Sequence, residues 1–246
     1  MKIGKNGRYE VEECIGSGAS GNVYRVWDRR YRRELAAKCY VNDSAANRER
    51  RILSSAKKGV TPFYYDSFKS HYGDVVIMEL VEGITLASYI RKRGPAKLSK
   101  VFDWGLELAD ILENLHRGPE RIIYRDLKPE NIILGDNGHI RLVDFDTAAH
   151  VVAEGLPGGV CGTYGYAAPE QWSGRGSTVR SDIYSLGVCL YECLTGYVDT
   201  TVEDERIPKG IYEVIKTCTK ILPGERYADA EKFRTAWIGA FTDLIA

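Results

Sequence analysis

The sequence has no excess of charge of either sign, because its 34 Lys and Arg residues balance its 34 Asp and Glu residues. A chain without a net positive field does not attract nucleic acid or an anionic membrane through its overall charge, so we expect neither as a partner. Specificity must come from local groups of side chains. Hydrophobic residues make up 44% of the chain, which excludes a disordered protein and is enough for a sizeable core.

Cysteines are few, and long apolar runs are absent. The six cysteines have neither the paired spacing of a metal site nor the density of a disulfide scaffold, so we expect reduced and mostly buried thiols. No segment has eighteen uninterrupted apolar residues, and residues 1–7 contain no apolar core of a signal peptide. We therefore expect a cytoplasmic protein. Repeats and Pro/Ser-rich linkers are also absent, which favours two lobes of one unit over independent domains.

The first 80 residues have the pattern of a β-sheet. Apolar residues at period two, separated by turn residues, predict five strands over residues 9–15, 22–28, 35–41, 63–68 and 74–80. Asn42, Asp43 and Ser44 offer helix caps, and the helix predicted after them carries Glu49 and Leu53 on one face. The basic run 25–33 could bind phosphate or stack on bases, but a solvated hairpin tip is the favoured interpretation.

A glycine-rich turn joins the first two predicted strands. It has the pattern G-x-G-x-x-G-x-V, in which glycines let backbone amides approach a polyphosphate closely. A flexible turn is the alternative, because this pattern alone is weak. A dinucleotide-binding fold would require a helix directly after the glycines, but residues 23–27 read as a strand. The turn consists of Gly16, Ser17, Gly18, Ala19, Ser20, Gly21, Asn22 and Val23.

Two charged residues in the predicted small sheet and helix are candidates for a pair. Lys38 lies inside the apolar run 35–41, where a buried ammonium group needs an anionic partner. Glu49 on the following helix could supply it. Each residue alone is more often an ordinary surface charge, but their order after the glycine-rich turn makes the pair informative.

The stretch 124–131 has the composition of a catalytic loop for phosphoryl transfer. That reaction needs a carboxylate near the attacking hydroxyl, a cation near the transferring group, and an Asn and a second Asp to hold a metal ion. Asp126, Lys128, Asn131 and Asp144 are of these types. A charged turn between two strands is the alternative for such a short motif.

Helical periodicity begins at Thr85 and predicts a second, helical lobe. Phe102, Leu106, Ala109 and Leu112 recur at helical spacing, and residues 181–194 are apolar nearly all round, as in a central helix. A closing amphipathic helix is predicted from Phe233, Trp237, Phe241 and Leu244.

In this order the parts resemble the eukaryotic-type (Hanks-type) serine/threonine protein kinase family over residues 16–226. The resemblance implies a two-lobed α+β protein kinase fold, with a small antiparallel sheet and one helix in residues 1–81 and a larger, mainly helical lobe in residues 82–246. The motifs that carry it are the glycine-rich turn, Lys38, Glu49, the catalytic loop, Asp144-Phe145-Asp146, Ala168-Pro169-Glu170, Asp182 and Arg226.

The resemblance also implies the roles of the site residues. Lys38, paired with Glu49, would hold ATP phosphates, and Asn131 and Asp144 would bind Mg²⁺, with Mn²⁺ as an alternative. Asp126 would orient the protein hydroxyl and accept its proton, and Lys128 would balance charge on the γ-phosphoryl group. The implied ATP-binding residues are Ile15, Gly16, Ser17, Gly18, Ala19, Ser20, Gly21, Val23, Ala36, Lys38, Met78, Glu79, Val81 and Ile133.

Structural roles follow from the same resemblance. Lys128 and the segment 162–170 are similar to the serine/threonine branch of the family, in which Thr163 would brace Asp126 and Lys128. Glu170 would pair with Arg226, and Asp182 would hold the backbone of the catalytic loop. Tyr124 stands where most members have His, and its ring would pack on Phe145.

Three departures from the family pattern concern regulation and substrate binding. Asp146 replaces the usual Gly, which adds a carboxylate beside the metal site. No equivalent of the usual substrate-docking helix is recognisable after Thr195. Residues 148–162 contain no Ser, Thr or Tyr, Gly159 stands at the usual phosphate-acceptor position, and the cation that shares this phosphate from the small lobe is expected to be missing. Arg125 would then meet Glu154 or another carboxylate.

Two other functions remain open on the sequence alone. A pseudokinase would bind nucleotide as a regulated binding or scaffold module, and a small-molecule kinase of related fold is a weaker alternative. The complete set of catalytic side chains favours an active protein kinase over the first. The segment 162–170, which shapes a peptide-binding surface in the family, argues against the second.

Overall fold

The computed structural model describes residues 1–57, 59–71, 73–151 and 160–245. The chain begins with an antiparallel sheet of six strands in the order β1-β2-β3-β4-β6-β5, with one helix, α1, inserted between β4 and β5. These elements are β1 (Lys2–Ile3), β2 (Tyr9–Gly18), β3 (Gly21–Asp28), β4 (Arg33–Tyr40), α1 (Asp43–Ser55), β5 (Tyr64–Ser70) and β6 (Gly73–Met78).

The prediction of five strands is wrong by one strand. Five strands match the predicted regions, but β1 pairs with β2 through Lys2–Glu10 and Ile3–Tyr9. Strands β2 and β3 also extend further into the glycine-rich turn than predicted, and Gly18 pairs with Gly21. The solvated hairpin tip is present between β3 and β4, where Arg29, Arg30 and Arg32 are exposed.

Helix α1 begins where its capping residue predicts. The side-chain oxygen of Asn42 accepts a hydrogen bond from the Ser44 amide at 2.8 Å, which satisfies one of the free N–H groups of the first turn. The buried face of the helix carries Ile52, Leu53 and Glu49. Glu49 is therefore directed into the protein together with its apolar neighbours.

The rest of the described chain is mainly helical. Its helices are α2 (Leu86–Arg93), α3 (Leu98–Arg117), α4 (Pro169–Trp172), α5 (Val179–Thr195), α6 (Lys209–Cys218) and α7 (Ala230–Ile245). Two small sheets, with the orders β10-β9-β7 and β11-β8, accompany them. Their strands are β7 (Ile84–Thr85), β8 (Ile122–Ile123), β9 (Ile132–Leu134), β10 (Ile140–Leu142) and β11 (Ala149–His150).

Helix α5 lies at the centre of this helical part, and α3 and α6 pack against it. Buried residues lie on all sides of α5, as its apolar sequence predicts. Gly105 of α3 allows the close approach of α7, because a Cβ atom there would lie 2.5 Å from the indole nitrogen of Trp237. That nitrogen donates to the Phe102 carbonyl at 3.1 Å.

The predicted apolar faces of α3 and α7 need correction. Ala109 and Leu112 are fully buried, but Phe102 and Leu106 are only partly buried, and Trp104 and Leu108 complete the core face of α3. Leu244, predicted on the apolar face of α7, is 43% exposed. Tertiary packing, and not helical spacing alone, decides which positions are covered.

The predicted α+β class, with a sheet first and a helical part after it, is confirmed. Among the helices of the described residues, none combines the length and the apolar character needed to cross a membrane.

Candidate active site

A cleft of about 380 Å³ lies between the first sheet and the helical part. Of the predicted ATP-binding residues, Ala19 alone is not part of its lining. Glu49, Lys128, Asn131 and Asp144 also line the cleft. The predicted residues that the cleft brings together are Ile15, Gly16, Ser17, Gly18, Ser20, Gly21, Val23, Ala36, Lys38, Met78, Glu79, Val81 and Ile133.

The glycine-rich hairpin requires glycine at Gly21. This residue has φ +151°, and an added Cβ atom would lie 2.0 Å from the backbone oxygen of Cys39 on the neighbouring strand. The close approach of β3 to β4 therefore excludes any side chain here. The turn also contributes Gly16 and Gly18 to the lining of the cleft.

Lys38 and Glu49 meet in the cleft, as the sequence predicts. Lys38 Nζ lies 3.4 Å from Glu49 Oε2, and both side chains are almost completely buried. Burial raises the pKa of Glu49 to about 7, although Lys38 opposes this shift. Burial would lower the pKa of Lys38, but Glu49 and two further carboxylates outweigh it and raise that pKa.

Asp126, Lys128 and Thr163 form a connected group, of which Lys128 lines the cleft and Asp126 and Thr163 do not. Thr163 donates its hydroxyl hydrogen to Asp126 Oδ1 at 2.7 Å and accepts a hydrogen bond from Lys128 Nζ at 2.6 Å. Lys128 Nζ also lies 3.0 Å from Asp126 Oδ2. Asn131 Nδ2 donates to the same carboxylate oxygen at 3.1 Å, so the side chain of Asp126 is held from several directions.

The backbone of the catalytic loop is fixed by Asp182 at the start of α5. Its two carboxylate oxygens accept hydrogen bonds from the amides of Tyr124 and Arg125, each at 2.8 Å. His116 lies 2.8 Å from the same carboxylate. Arg125 has φ +72°, an uncommon conformation for a residue with a side chain, and these bonds stabilise it.

The residues Asp144 and Phe145 are placed by contacts from both parts of the protein. The Phe145 amide donates to Glu49 Oε1 at 2.8 Å, and the Phe145 ring packs edge-on against Tyr124 with ring centroids 5.0 Å apart. Asp144 has φ +64° and accepts a hydrogen bond from Lys38 at 2.7 Å. Burial raises the pKa of Asp144 although Lys38 opposes the shift.

Asp146 makes contacts that the sequence did not predict. Its Oδ2 accepts a hydrogen bond from Lys38 Nζ at 2.8 Å, and its carboxylate also interacts with the Ser20 side chain in the glycine-rich hairpin. Burial favours the neutral form of this carboxyl group, but Lys38 and Ser20 hold its pKa below the usual value. The extra carboxylate is thus directed at the same cation as Glu49 and Asp144.

Two arginines hold the backbone at the end of the metal-binding motif, which consists of Asp144, Phe145 and Asp146, and at the residue after it. Arg48 of α1 donates from Nε to the Asp146 carbonyl at 2.5 Å, and Arg125 donates from Nε to the Thr147 carbonyl at 2.5 Å. The expectation that the small lobe lacks a cation near Arg125 is wrong, because Arg48 and Arg125 donate to the carbonyls of consecutive residues. The predicted contact of Arg125 with Glu154 lies outside the described residues.

Glu170 and Arg226 form a buried ion pair away from the cleft. Arg226 donates from both terminal nitrogens to the two carboxylate oxygens of Glu170, at 2.7 and 2.9 Å. Ser181 donates to Glu170 Oε1 at 2.7 Å. Although burial favours the neutral form, these hydrogen bonds hold the pKa of Glu170 below its usual value.

Five residues of the cleft lining were missed by the sequence reasoning. Val143 directly precedes Asp144 in β-like sequence, and Leu80 lies between Glu79 and Val81, so chain proximity could have indicated both. Glu130 directly precedes Asn131 and could have been indicated in the same way. Pro62 and Thr85 carry no comparable signal because only the tertiary fold brings them to the cleft.

A glycine-rich hairpin above a cleft, a buried Lys–Glu pair and a braced Asp–Lys catalytic loop together define a protein kinase domain. The chain belongs to this family: the family model described as protein kinase domain matches residues 9–238. The predicted resemblance is therefore confirmed.

Curated relatives show the same relationship. The serine/threonine-protein kinase PknL of Mycobacterium tuberculosis (strain H37Rv) is 30% identical over 91% of this chain and 63% of its own length. The serine/threonine-protein kinase PrkC of Bacillus subtilis (strain 168) is 31% identical over 94% of this chain and 40% of its own length. A cAMP-dependent protein kinase catalytic subunit of Arthrobotrys oligospora is 32% identical over 84% of this chain and 40% of its own length. The chain thus spans less than two thirds of these relatives.

Proposed function

We propose that the chain is an ATP-dependent serine/threonine protein kinase that transfers the γ-phosphoryl group of ATP to Ser and Thr hydroxyls of proteins. The observation that carries this proposal is the hydrogen-bonded group of Asp126, Lys128 and Thr163 beside a cleft lined by Lys38 and Asn131. Phosphoryl transfer relies mainly on positioning and on charge stabilisation, and this group supplies both.

In the proposed reaction, Asp126 accepts a hydrogen bond from the incoming hydroxyl and takes its proton as the oxygen attacks the γ-phosphorus. The bond from this phosphorus to the bridging oxygen of the β-phosphate breaks, and ADP leaves. Lys128 balances negative charge on the transferring group. Thr163 fixes both side chains, because its hydroxyl bonds to each of them. Lys38 holds the α- and β-phosphates, and Glu49 orients Lys38.

The donor atoms of Asn131 and Asp144 fit Mg²⁺, or Mn²⁺ as an alternative. The Asn131 amide nitrogen is engaged by Asp126, which leaves its amide oxygen for a cation, and Asp144 supplies a carboxylate. Mg²⁺ is commonly bound through one or two carboxylates together with substrate phosphates. When bound, it neutralises charge on the phosphates of ATP.

The adenine ring is proposed to lie between Val23 and Ala36 on one side and Ile133 on the other, with Met78 at the entrance to the deeper pocket. The Glu79 amide donates to the Phe63 carbonyl at 2.8 Å, so the Glu79 carbonyl is the group assigned to adenine. The backbone of Val81 is its second proposed partner.

We place the boundary of the two lobes after residue 81, a division supported by the end of β6 at Met78 and the start of α2 at Leu86. The proposed partners are ATP and proteins with Ser or Thr acceptors. A cytoplasmic location is proposed on the basis of six cysteines that form no disulfide among the described residues.

The experiment is phosphorylation of a general acceptor protein with ATP and Mg²⁺, with mass spectrometry of the modified residues. Asp126→Asn and Lys38→Ala are expected to lower the rate by several orders of magnitude, about 10³-fold or more, with folding retained. Asp136→Asn, in the exposed turn between β9 and β10, is the matched control. Wild-type turnover in Asp126→Asn or Lys38→Ala would contradict the mechanism. A wild-type protein that binds nucleotide but transfers no phosphoryl group would favour a pseudokinase.

A further inference from the structure

Three carboxylates surround the ammonium group of Lys38. Its Nζ atom lies 2.7 Å from Oδ1 of Asp144, 2.8 Å from Oδ2 of Asp146 and 3.4 Å from Oε2 of Glu49. The Lys38 side chain is 4% exposed, so water has little access to it. An ammonium group has three N–H donors. Asp144 and Asp146 each accept a hydrogen bond from Lys38, whereas Glu49 Oε2 accepts none, so carboxylates occupy two of the three donors of Lys38.

Asp146 is the unusual member of this group. At the same position the kinase family has Gly, which has no side chain and leaves Lys38 with two carboxylate neighbours. The Asp146 carboxylate accepts a hydrogen bond from Lys38, and its backbone carbonyl accepts one from Arg48. Asp146 is 7% exposed, and its carboxylate faces Lys38 and not solvent.

A nucleotide phosphate needs the donors that Asp146 and Asp144 occupy. Asp144 is a proposed metal ligand, so a divalent cation can take over its charge. Asp146 stays beside Lys38, where its negative charge repels the phosphate oxygens in a region of low dielectric constant. Metal-free nucleotide therefore meets both a shortage of donors and a repulsive charge.

We propose that Asp146 is a specificity-determining residue that competes with nucleotide phosphate for Lys38 and so makes nucleotide binding depend on a divalent cation. This inference rests on the proposed function, because it assigns the phosphates of ATP to Lys38. Asp146 thus disfavours the binding of metal-free ATP relative to the binding of ATP complexed with a divalent cation.

The test measures the dissociation constants of ATP and of adenosine by titration calorimetry, in EDTA and in saturating MgCl₂. The proteins are wild type, Asp146→Asn, Asp146→Gly and the control Asp136→Asn, which removes the same charge from an exposed turn. Both Asp146 variants are expected to bind metal-free ATP about tenfold more tightly, equal to about 1.4 kcal/mol. Adenosine affinity stays at the wild-type value, because adenosine has no phosphate, and this also reports an intact pocket.

Three results would overturn the inference. The first is an unchanged affinity for metal-free ATP in both Asp146 variants. The second is weaker binding of Mg-ATP with unchanged binding of metal-free ATP, which would mean that Asp146 acts on the cation. The third is a wild-type protein that binds neither ATP nor adenosine, and this result alone would also overturn the proposed function.

Discussion

Thr163 and Asp126 are joined by a hydrogen bond of 2.7 Å although 37 positions separate them in the chain. The bond ties the segment before α4 to the catalytic loop. Since Lys128 donates to the same hydroxyl, one small side chain fixes the two residues to which the proposed chemistry is assigned.

We predict that Thr163→Ala lowers kcat by about 100-fold, because a small misplacement of reacting groups is enough for such a loss. Thr163→Ser keeps the hydroxyl and is expected to retain most of the rate. Steady-state kinetics of both variants, with thermal unfolding as the check on folding, tests this. Equal rates for the Ala and Ser variants would show that the hydroxyl does not position Asp126.

The Glu170–Arg226 pair predicts a large loss of stability when one partner is removed. Arg226→Met leaves a buried carboxylate without its partner, which is expected to lower the free energy of unfolding by about 3 kcal/mol. Urea unfolding of wild type, Arg226→Met, Glu170→Gln and the double variant measures the coupling. Additive effects of the two single changes would contradict a direct interaction.

The same pair predicts the direction of a pH effect. The pKa of Glu170 is lower in the folded protein than its ordinary value of 4.5. Its contribution to stability is therefore fully present above that ordinary value and is lost as the pH falls through the folded-state pKa. Glu170→Gln should remove this part of the acid destabilisation. A wild-type and a variant stability curve of identical slope below pH 4.5 would speak against it.

The sequence predicted the motifs and their order because each is a local pattern, such as alternation in β2 and β3 or the cap at Asn42. It did not predict β1, since two residues are too few to show a period. The contacts of Asp146 with Arg48 and Lys38 were not predicted either. Arg48 reaches Asp146 and Asp146 reaches Lys38 only after folding brings distant segments together, and no spacing in the chain encodes those distances.

The contact of Asp146 with Lys38 also predicts how mutation changes inhibitor affinity. The inhibitors concerned bind only when the metal-binding motif leaves its present position in the cleft. Its side chain bonds to Lys38, so the motif is tethered in its present arrangement. Asp146→Gly removes the tether and restores the freer φ of glycine, and it should increase the affinity for such compounds. The comparison is made with Met78 unchanged and with an inhibitor that does not need withdrawal as control. Unchanged affinity for both compounds would count against the tether.

The segment after α5 predicts poor phosphorylation of short peptides. The structure has no helix from residue 196 to residue 208, and the next helix, α6, begins at Lys209. We expect that this segment lacks the substrate-docking helix that is usual for the family. Binding energy from contacts far from the acceptor then has to come from other surfaces of an intact protein. We expect lower kcat and lower kcat/KM for a peptide than for the same acceptor sequence in its folded protein. Efficient turnover of many unrelated peptides would refute this.

The contacts of Arg48 and Arg125 predict a kinase that does not need phosphate on its activation segment, residues 144–170. Such a phosphate usually orders the segment by binding to arginines. Here Arg48 and Arg125 already donate to the consecutive carbonyls of Asp146 and Thr147. The sequence from 148 to 162 also contains no residue that could be phosphorylated on a hydroxyl. The backbone contacts can therefore stabilise the arrangement that a phosphate stabilises elsewhere.

We expect phosphatase-treated protein, shown by mass spectrometry to be unmodified between Asp144 and Glu170, to keep its kinase rate. Arg48→Met should lower that rate with or without phosphatase, because it removes the donor to the Asp146 carbonyl. Arg50→Met, on the exposed face of the same helix, is the matched control and keeps the rate. A fall of more than about tenfold after phosphatase, equal to about 1.4 kcal/mol in the barrier, that a restored phosphate reverses would show that the two arginines do not replace it.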